Sequence, residues 1–245
     1  MQDWKLWAVA VGLTGGGLAF FFSAFPRLRL WRTISNTPTA KARSAPMGPV
    51  ELSGIAAIGE GVVAMQGPLS ALACLWWRFK VEEEQLRMNA KGESHYEWVG
   101  LADERSNAPF YLKDLTGLLR IDPTGAEVDT PARLSKVSGG LFGAPPPPGP
   151  SVAYYPGVSG RRKRYTEWRI EPERPLYALG VLRPEAAGPT LERGRSGEIF
   201  YLSTMSEDEA RQSVMLGLLG RLTLGLLLFG AGLYLCIALA NGVRS

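Results

Sequence analysis

The chain has 245 residues, 46% of them hydrophobic and 20% charged, with a formal net charge of +4, one histidine and two cysteines. So few ligating side chains exclude a histidine-based metal cluster, a four-cysteine or mixed zinc site, and a disulfide-stapled scaffold. Much of the excess positive charge sits beside an apolar run, where anionic lipid headgroups explain it as well as nucleic acid does.

Leu6 to Phe25 carries no charge over 20 residues and is closed by Pro26 and then Arg27, Arg29 and Arg32. A transmembrane helix is expected over 5–26, since ~20 apolar residues cross a ~30 Å hydrocarbon core. A cleaved signal peptide is the rival reading, but the run exceeds an ordinary signal core and lacks a clean small-x-small site. Trp4, Trp7 and Trp31 at its edges suit an aromatic belt, with Arg27, Arg29 and Arg32 reaching headgroups. Ala8, Gly12 and Gly16 recur at four-residue spacing, so Gly12 and Gly16 are the expected helix-packing face, within one chain or between copies in a homo-oligomer. Residues 27–47 then read as a basic juxtamembrane linker, polar and aperiodic from Thr33.

A β-rich domain is expected over 48–205. Val50 to Ala57 begins as an alternating strand, Gly67-Pro68 marks a turn, and Trp77, Phe79 and Val81 alternate with Arg78 and Lys80 in a half-buried strand. Further strands are expected at His95–Leu101 and Pro109–Leu112. Asp114-Leu115-Thr116-Gly117 and Asp122-Pro123-Thr124-Gly125 both place Asp first and Gly fourth, the chemistry of tight turns, so a meander of short antiparallel strands follows through Ala126–Val128.

Residues 138–160 hold six glycines and six prolines in 23 positions, which neither helix nor sheet tolerates. They read as a disordered insertion, or as a docking loop in which Phe142, Tyr154 and Tyr155 flank a polyproline II piece. Arg161, Arg162, Lys163 and Arg164 follow. They are candidate contacts for lipid or a partner, or else the base of a hairpin facing Glu82, Glu83 and Glu84. Two strands, Tyr165–Ile170 and Leu176–Leu182, are joined by the Pro172–Pro175 turn.

Ile199, Tyr201 and Ser203 alternate as a strand, after which Ser206 and Glu209 form a capping-box pair at a helix start. The helix runs over 206–243 into a second span, uncharged for the 22 residues from Leu222 to Val243. Arg221 sits at its edge, where its side chain reaches headgroups instead of costing ~2.5–3.5 kcal/mol in the core. This run is read as a stiff coupling between domain and bilayer. The fold class is thus a mainly β domain of short antiparallel strands, barrel- or sandwich-like with minor helix, between two transmembrane α-helices. Arginines and lysines favour the domain side of both spans, which predicts a cytoplasmic domain with both termini outside, in a bacterial inner membrane.

Catalytic signatures are missing: there is no phosphate-cradling loop, Gly15-Gly16-Gly17 lies in a span, and Gly157-Val158-Ser159-Gly160 falls short of a nucleophile elbow. No cofactor, metal or nucleic-acid partner is expected, and an unrecognised hydrolase is a remote alternative.

The succession GPVELSGIA, CLWWRFKVEEE, PFYLKDLTGLLRIDPTGAEV, RYTEWRIEPERPLYALG and FYLSTMSEDEARQ between two spans resembles the GIDE family over about residues 48–240. That family includes the membrane-embedded MULAN-type mitochondrial E3 ubiquitin ligases, whose domain between the spans is also called a "beside a membrane" domain. Those ligases carry a zinc-binding RING after the second span; this sequence stops at Ser245 without the cysteines and histidines for one, so no residue inherits the ligase reaction. The resemblance implies the platform part. The expected function is a non-catalytic interaction or scaffolding module with a protein partner. The alternative is a RING-less component of a ligase-like system that supplies anchoring and substrate recognition.

Overall fold

The computed structural model describes residues 3–36, 39–89, 92–139, 145–155, 161–186, 188–195, 198–205 and 207–242. They form two compact units, one helical and built from both ends of the chain, the other spanning Pro38–Ser206.

In the helical unit, α1 (Asp3–Phe22), α2 (Phe25–Asn36) and α3 (Glu207–Gly242) are long or apolar in keeping with the sequence. Trp4–Thr33 and Gln212–Asn241 are both long and apolar enough to cross a membrane. Pro26 has no N–H to offer Phe22, and the chain breaks between α1 and α2 at Ser23 and Ala24, with Pro26 tolerated in the first turn of the new helix. The basic segment after Phe25 is therefore helical as far as Asn36, where the sequence suggested a linker.

α1 and α3 pack antiparallel on a seam of seven-residue spacing: Ala10, Gly17 and Ala24 from one side, Leu218, Gly225 and Gly232 from the other, all buried. Backbones touch there. A Cβ on Gly17 would run into the Phe229 backbone, and one on Gly225 would lie 2.8 Å from the Phe21 nitrogen. Gly12 and Gly16, expected on the packing face, have nothing within 4 Å of an added Cβ. Within the chain the four-residue spacing picked the wrong stripe, because a sustained interface between two helices follows a period of 3.5, which seven-residue spacing preserves.

The β unit opens with β1 (Thr39–Ala40) and β2 (Gly48–Ala57), then β3 (Met65–Gln66), β4 (Ala73–Cys74), β5 (Trp76–Met88) and β6 (Ser94–Arg105). It continues through β7 (Phe110–Lys113), β8 (Leu118–Ile121), β9 (Glu127–Asp129), β10 (Ala132–Ser138), β11 (Lys163–Ile170), β12 (Pro175–Glu185), β13 (Gly188–Glu192) and β14 (Tyr201–Ser203). The ring β2-β7-β8-β13-β12 closes on itself through the β2–β12 pairing, a five-stranded barrel. Val50, Leu52 and Ala56 of β2, Leu112 of β7, Ile121 of β8, Leu176, Ala178 and Leu182 of β12 and Leu191 of β13 fill it, the alternation of each strand sending every second side chain inward. Off β12, β14 and then β9 extend the sheet, and β9 is its edge.

A second sheet, β10-β11-β5-β6, is wholly antiparallel. The Pro172–Pro175 turn therefore does not close a hairpin: it carries the chain from this sheet into the barrel. Its corner is fixed by Glu173 N–H donating to the Ala56 carbonyl and Ala56 N–H to that of Arg174, both at 2.8 Å.

The two faces of the second sheet differ. On one, Phe79, Val81 and Tyr165 pack with Leu69 under Val152 and Tyr155. Glu167, fully buried, holds this side together. Its carboxylate accepts from Leu69 N–H (2.6 Å), Ser70 N–H (3.1 Å), the Ser70 hydroxyl (2.6 Å) and Arg169 Nη1 (2.9 Å). Onto that turn the end of the Pro/Gly segment docks, Gly149 N–H donating to the Leu69 carbonyl (2.8 Å) and Ser151 N–H to that of Pro68 (3.0 Å). Residues 145–155 are thus an ordered strap over the sheet; 140–144 and 156–160, the rest of the run read from composition as a disordered insertion or docking loop, lie outside the described residues. The opposite face carries Arg78, Trp168 and Trp76 and looks toward β9.

Candidate partner-binding cleft

Between that second face and β9 lies an open cleft of about 630 Å³, lined by Trp76, Arg78, Arg105 and Trp168 on one wall and by residues 125–130 with Arg193 on the other. Strand register builds the first wall. Arg78 stands opposite Trp168 on β11 and opposite Arg105 on β6. Two like charges facing each other across a ladder repel, and Asp103 offsets this by accepting from Arg78 Nε (2.9 Å) and Nη2 (2.8 Å). That bidentate bond raises the Arg78 pKa and holds the Asp103 carboxyl below its ordinary range. The guanidinium also lies 5.5 Å over the Trp168 ring, a cation–π contact that keeps it flat on the wall.

The second wall is mostly main chain. Asp122 Oδ1 accepts from Thr124 N–H (2.9 Å) and Ala126 N–H donates to the Pro123 carbonyl (3.0 Å), which turns the chain through Gly125 at φ +77°, a value that favours glycine. Arg193 lies against Gly125, its Cδ 3.0 Å from where a Cβ would stand. Beyond it is a second depression of about 440 Å³ bordered by Asp122, Thr124, Glu192, Gly194 and Arg195. Further along, the Tyr201 hydroxyl donates to Asp129 Oδ2 (2.8 Å). Burial, then that bond, push the tyrosine pKa up. Among the described residues Arg193 forms no ion pair and no hydrogen bond.

The residues singled out in the sequence fall elsewhere. Arg161, Arg162 and Arg164 each meet an acid of β5: Arg161 with Glu83 (3.1 Å), Arg162 with Glu84 (3.2 Å), Arg164 with Glu82 (2.7 Å). Arg162 and Arg164 also stand over the Trp98 ring. Antiparallel pairing of β11 with β5 sets Lys163 opposite Glu83 and Arg164 opposite Glu82, so the basic run does face Glu82, Glu83 and Glu84, across a distant strand and not at a hairpin base, and its charge is largely neutralised. Lys163 is buried and donates to the Tyr155 carbonyl; burial lowers its pKa and Glu83 partly restores it. Tyr155 turns inward, its ring 6.0 Å from that of Phe79 and its hydroxyl donating to Glu104. Phe142 lies outside the described residues, as does Ser206 of the capping pair, and for Tyr154 only the backbone, in a short 3-10 turn, is described.

In the helical unit Trp4 is exposed, while Trp7 and Trp31 are half-buried. Arg32 is exposed, and Arg29 is exposed too, with bonding of its own. Arg27 rests over Gly217. Arg221 donates to the Ser23 carbonyl (3.0 Å) at the break between α1 and α2, so its guanidinium meets the backbone freed by the kink. The sequence placed it at headgroup level without that partner.

Cys74 is an inert thiol, its pKa pushed up to about 12 by burial and then by Glu167. His95 is exposed. Among the described residues, no three His, Cys, Asp or Glu side chains gather to hold a metal ion.

Residues 80–231 match the family described as GIDE: E3 Ubiquitin ligase, from within β5 to the apolar part of α3. The chain belongs to the GIDE family. No curated protein and no solved structure matches it. The GIDE region covers the strap, most of the second sheet and of the barrel, and the cleft lining other than Trp76 and Arg78, together with more than half of α3, so the match runs from the β domain into an apolar helix. The cleft itself was hidden from sequence reasoning. Its arginines come from separate strands, and only register brings Arg78 and Arg105 together with the turn at Gly125.

Proposed function

We propose that this GIDE protein is a two-span, membrane-anchored interaction or scaffolding module whose β domain works beside the bilayer without chemistry of its own. The observation that carries the reading is the continuity of the GIDE match from β5 into the apolar stretch of α3: the recognisable unit is a domain together with its anchor. At ~1.5 Å per residue, the 36 residues of α3 reach ~54 Å, longer than a ~30 Å hydrocarbon core. Arg221 then divides a part in lipid from a part above it. Basic flanks orient the domain to the cytoplasm and both termini outside, as in a bacterial inner membrane. The family description favours a second reading, in which the domain anchors and presents substrates to a ligase encoded separately.

Affinity purification of the full chain from native membranes separates these readings. A reproducible protein partner free of ubiquitin-like conjugates is the expected result. Conjugates on the recovered partners would support the second reading, and a chain recovered only as a lone monomer would contradict both.

A further inference from the structure

Among the described residues, the edge strand β9 has a main-chain vacancy that nothing fills. Its ladder with β14 is parallel, in the register Glu127 to Tyr201, Val128 to Leu202 and Asp129 to Ser203. Glu127 N–H donates to the Phe200 carbonyl and the Asp129 carbonyl accepts from Thr204 N–H. In a parallel ladder alternate residues point both main-chain groups at one neighbour. Glu127 and Asp129 therefore face β14, and Val128 aims its N–H and C=O the other way. Its side chain packs against the barrel core, which fixes the strand's rotation. Among the described residues β9 pairs only with β14, so the two polar groups of Val128 face away from that strand, on the side of the cleft lined by Trp168 and Arg78.

Recessed main-chain groups of this kind normally find a partner. The other long edge of the domain is protected differently: β6 carries His95, Glu97, Asp103, Glu104 and Arg105 and is bent by a register shift opposite Val81 and Glu82, the usual means of discouraging strand addition. β9 keeps a regular register with β14, and its acids, Glu127 and Asp129, share the face opposite Val128. It is short and recessed, with aromatic faces across the cleft and Arg193 at one end.

We propose that the cleft takes an extended peptide segment of a partner protein, which adds as a strand to the outer edge of β9 and places one carboxylate on Arg193. Main-chain bonds to Val128 supply affinity and the walls supply selectivity, as in other strand-addition sites. Three residues of β9 span ~10 Å, so the segment is short. Glu127 and Asp129 repel further acids, which limits it to a single carboxylate near Arg193, with uncharged side chains against Trp168. The assignment rests on the reading of the domain as an interaction module.

The test is to pan phage-displayed random 12-residue peptides against the full chain in nanodiscs, using empty nanodiscs as the counter-selection. One enriched peptide is then synthesised with a fluorophore and its binding followed by anisotropy. Enriched sequences are expected to alternate β-branched or aromatic residues around one Asp or Glu. Arg193→Glu and Val128→Pro are each expected to weaken binding at least tenfold while leaving the unfolding midpoint in place. Proline is tolerated on a strand edge; should the Val128→Pro chain not fold, exchange of the Val128 amide in the wild-type chain is measured instead, and the peptide should slow it at least tenfold. No enrichment over empty nanodiscs, equal binding by the variants, or an unchanged Val128 amide would overturn the proposal. A partner recovered from membranes while every peptide fails removes the cleft assignment alone; peptides that bind a chain with no partner in membranes remove the functional reading.

Discussion

Removing the carboxylate of Glu167 tests the packing account most severely. The side chain is fully buried and takes hydrogen bonds from the Leu69 and Ser70 amides, the Ser70 hydroxyl and Arg169. Glu167→Ala strips the Gly67–Ser70 turn of its acceptor and leaves the buried Arg169 with Glu171 (3.2 Å) as its one carboxylate, beside the Ser70 hydroxyl. Breaking a buried pair from one side costs about 3–5 kcal/mol. In a domain of this size each kcal/mol moves the midpoint by about 2–4 °C, so a drop of roughly 6–20 °C is expected. The double variant Glu167→Leu with Arg169→Met removes both charges, so it should recover the part of the loss due to the unpaired guanidinium, but not the part due to the Leu69 and Ser70 donors that still lack an acceptor. Differential scanning of the full chain in detergent, following tryptophan fluorescence, reads both. A Glu167→Ala chain within 1 °C of wild type, or a double variant worse than the single, would refute the reasoning.

Other outcomes follow from the same geometry. Gly149→Ala drives a methyl into the Pro68 carbonyl and the Leu69 backbone; it should cost about 1–3 kcal/mol as overpacking and open residues 145–155 to limited proteolysis, whereas the wild-type strap should resist equally in membranes and in detergent. Burial raises the Asp114 carboxyl, but bonds from the Thr116 hydroxyl and from the Ala42, Thr116 and Gly117 amides outweigh it and bring the pKa down to about 2. A depressed carboxylate stabilises the fold above its unfolded value near 4 and loses that contribution as pH falls toward 2. Acid unfolding between pH 4 and 2 should therefore flatten in Asp114→Asn. Gly17→Leu and Gly225→Leu should abolish the compact, protease-resistant α1–α3 pair in detergent, while Gly12→Leu and Gly16→Leu should leave it intact.

Local chemistry was legible in the sequence. Asp114 closes its turn by accepting from the Thr116 (2.7 Å) and Gly117 (3.0 Å) amides, and Asp122 accepts from the Thr124 amide (2.9 Å) in the next, ahead of Gly125. The alternation in β5 and the uncharged runs of α1 and α3 were equally plain. What the sequence did not disclose depends on partners distant in the chain. The barrel closes through β8 and β13, about 70 residues apart, in a parallel pair that no turn motif announces. β10 and β13 lack a strong period and went unread. A string of prolines and glycines says that a segment lacks regular structure, not that Gly149 and Ser151 will bond to a distant turn. The pairing of Arg164 with Glu82 was open to inference from charge alone, because complementary runs on neighbouring strands meet wherever register allows.

The central claim, a membrane-anchored domain that holds a partner protein, is tested most directly by photocrosslinking in intact cells. A photoreactive phenylalanine analogue replaces Glu127 in the cleft wall of the full chain, and in a control chain replaces Glu185, exposed at the end of β12. The account predicts a discrete adduct with an unlike protein from position 127 and none from 185. Lipid adducts alone, or the same adducts from both positions, would contradict it.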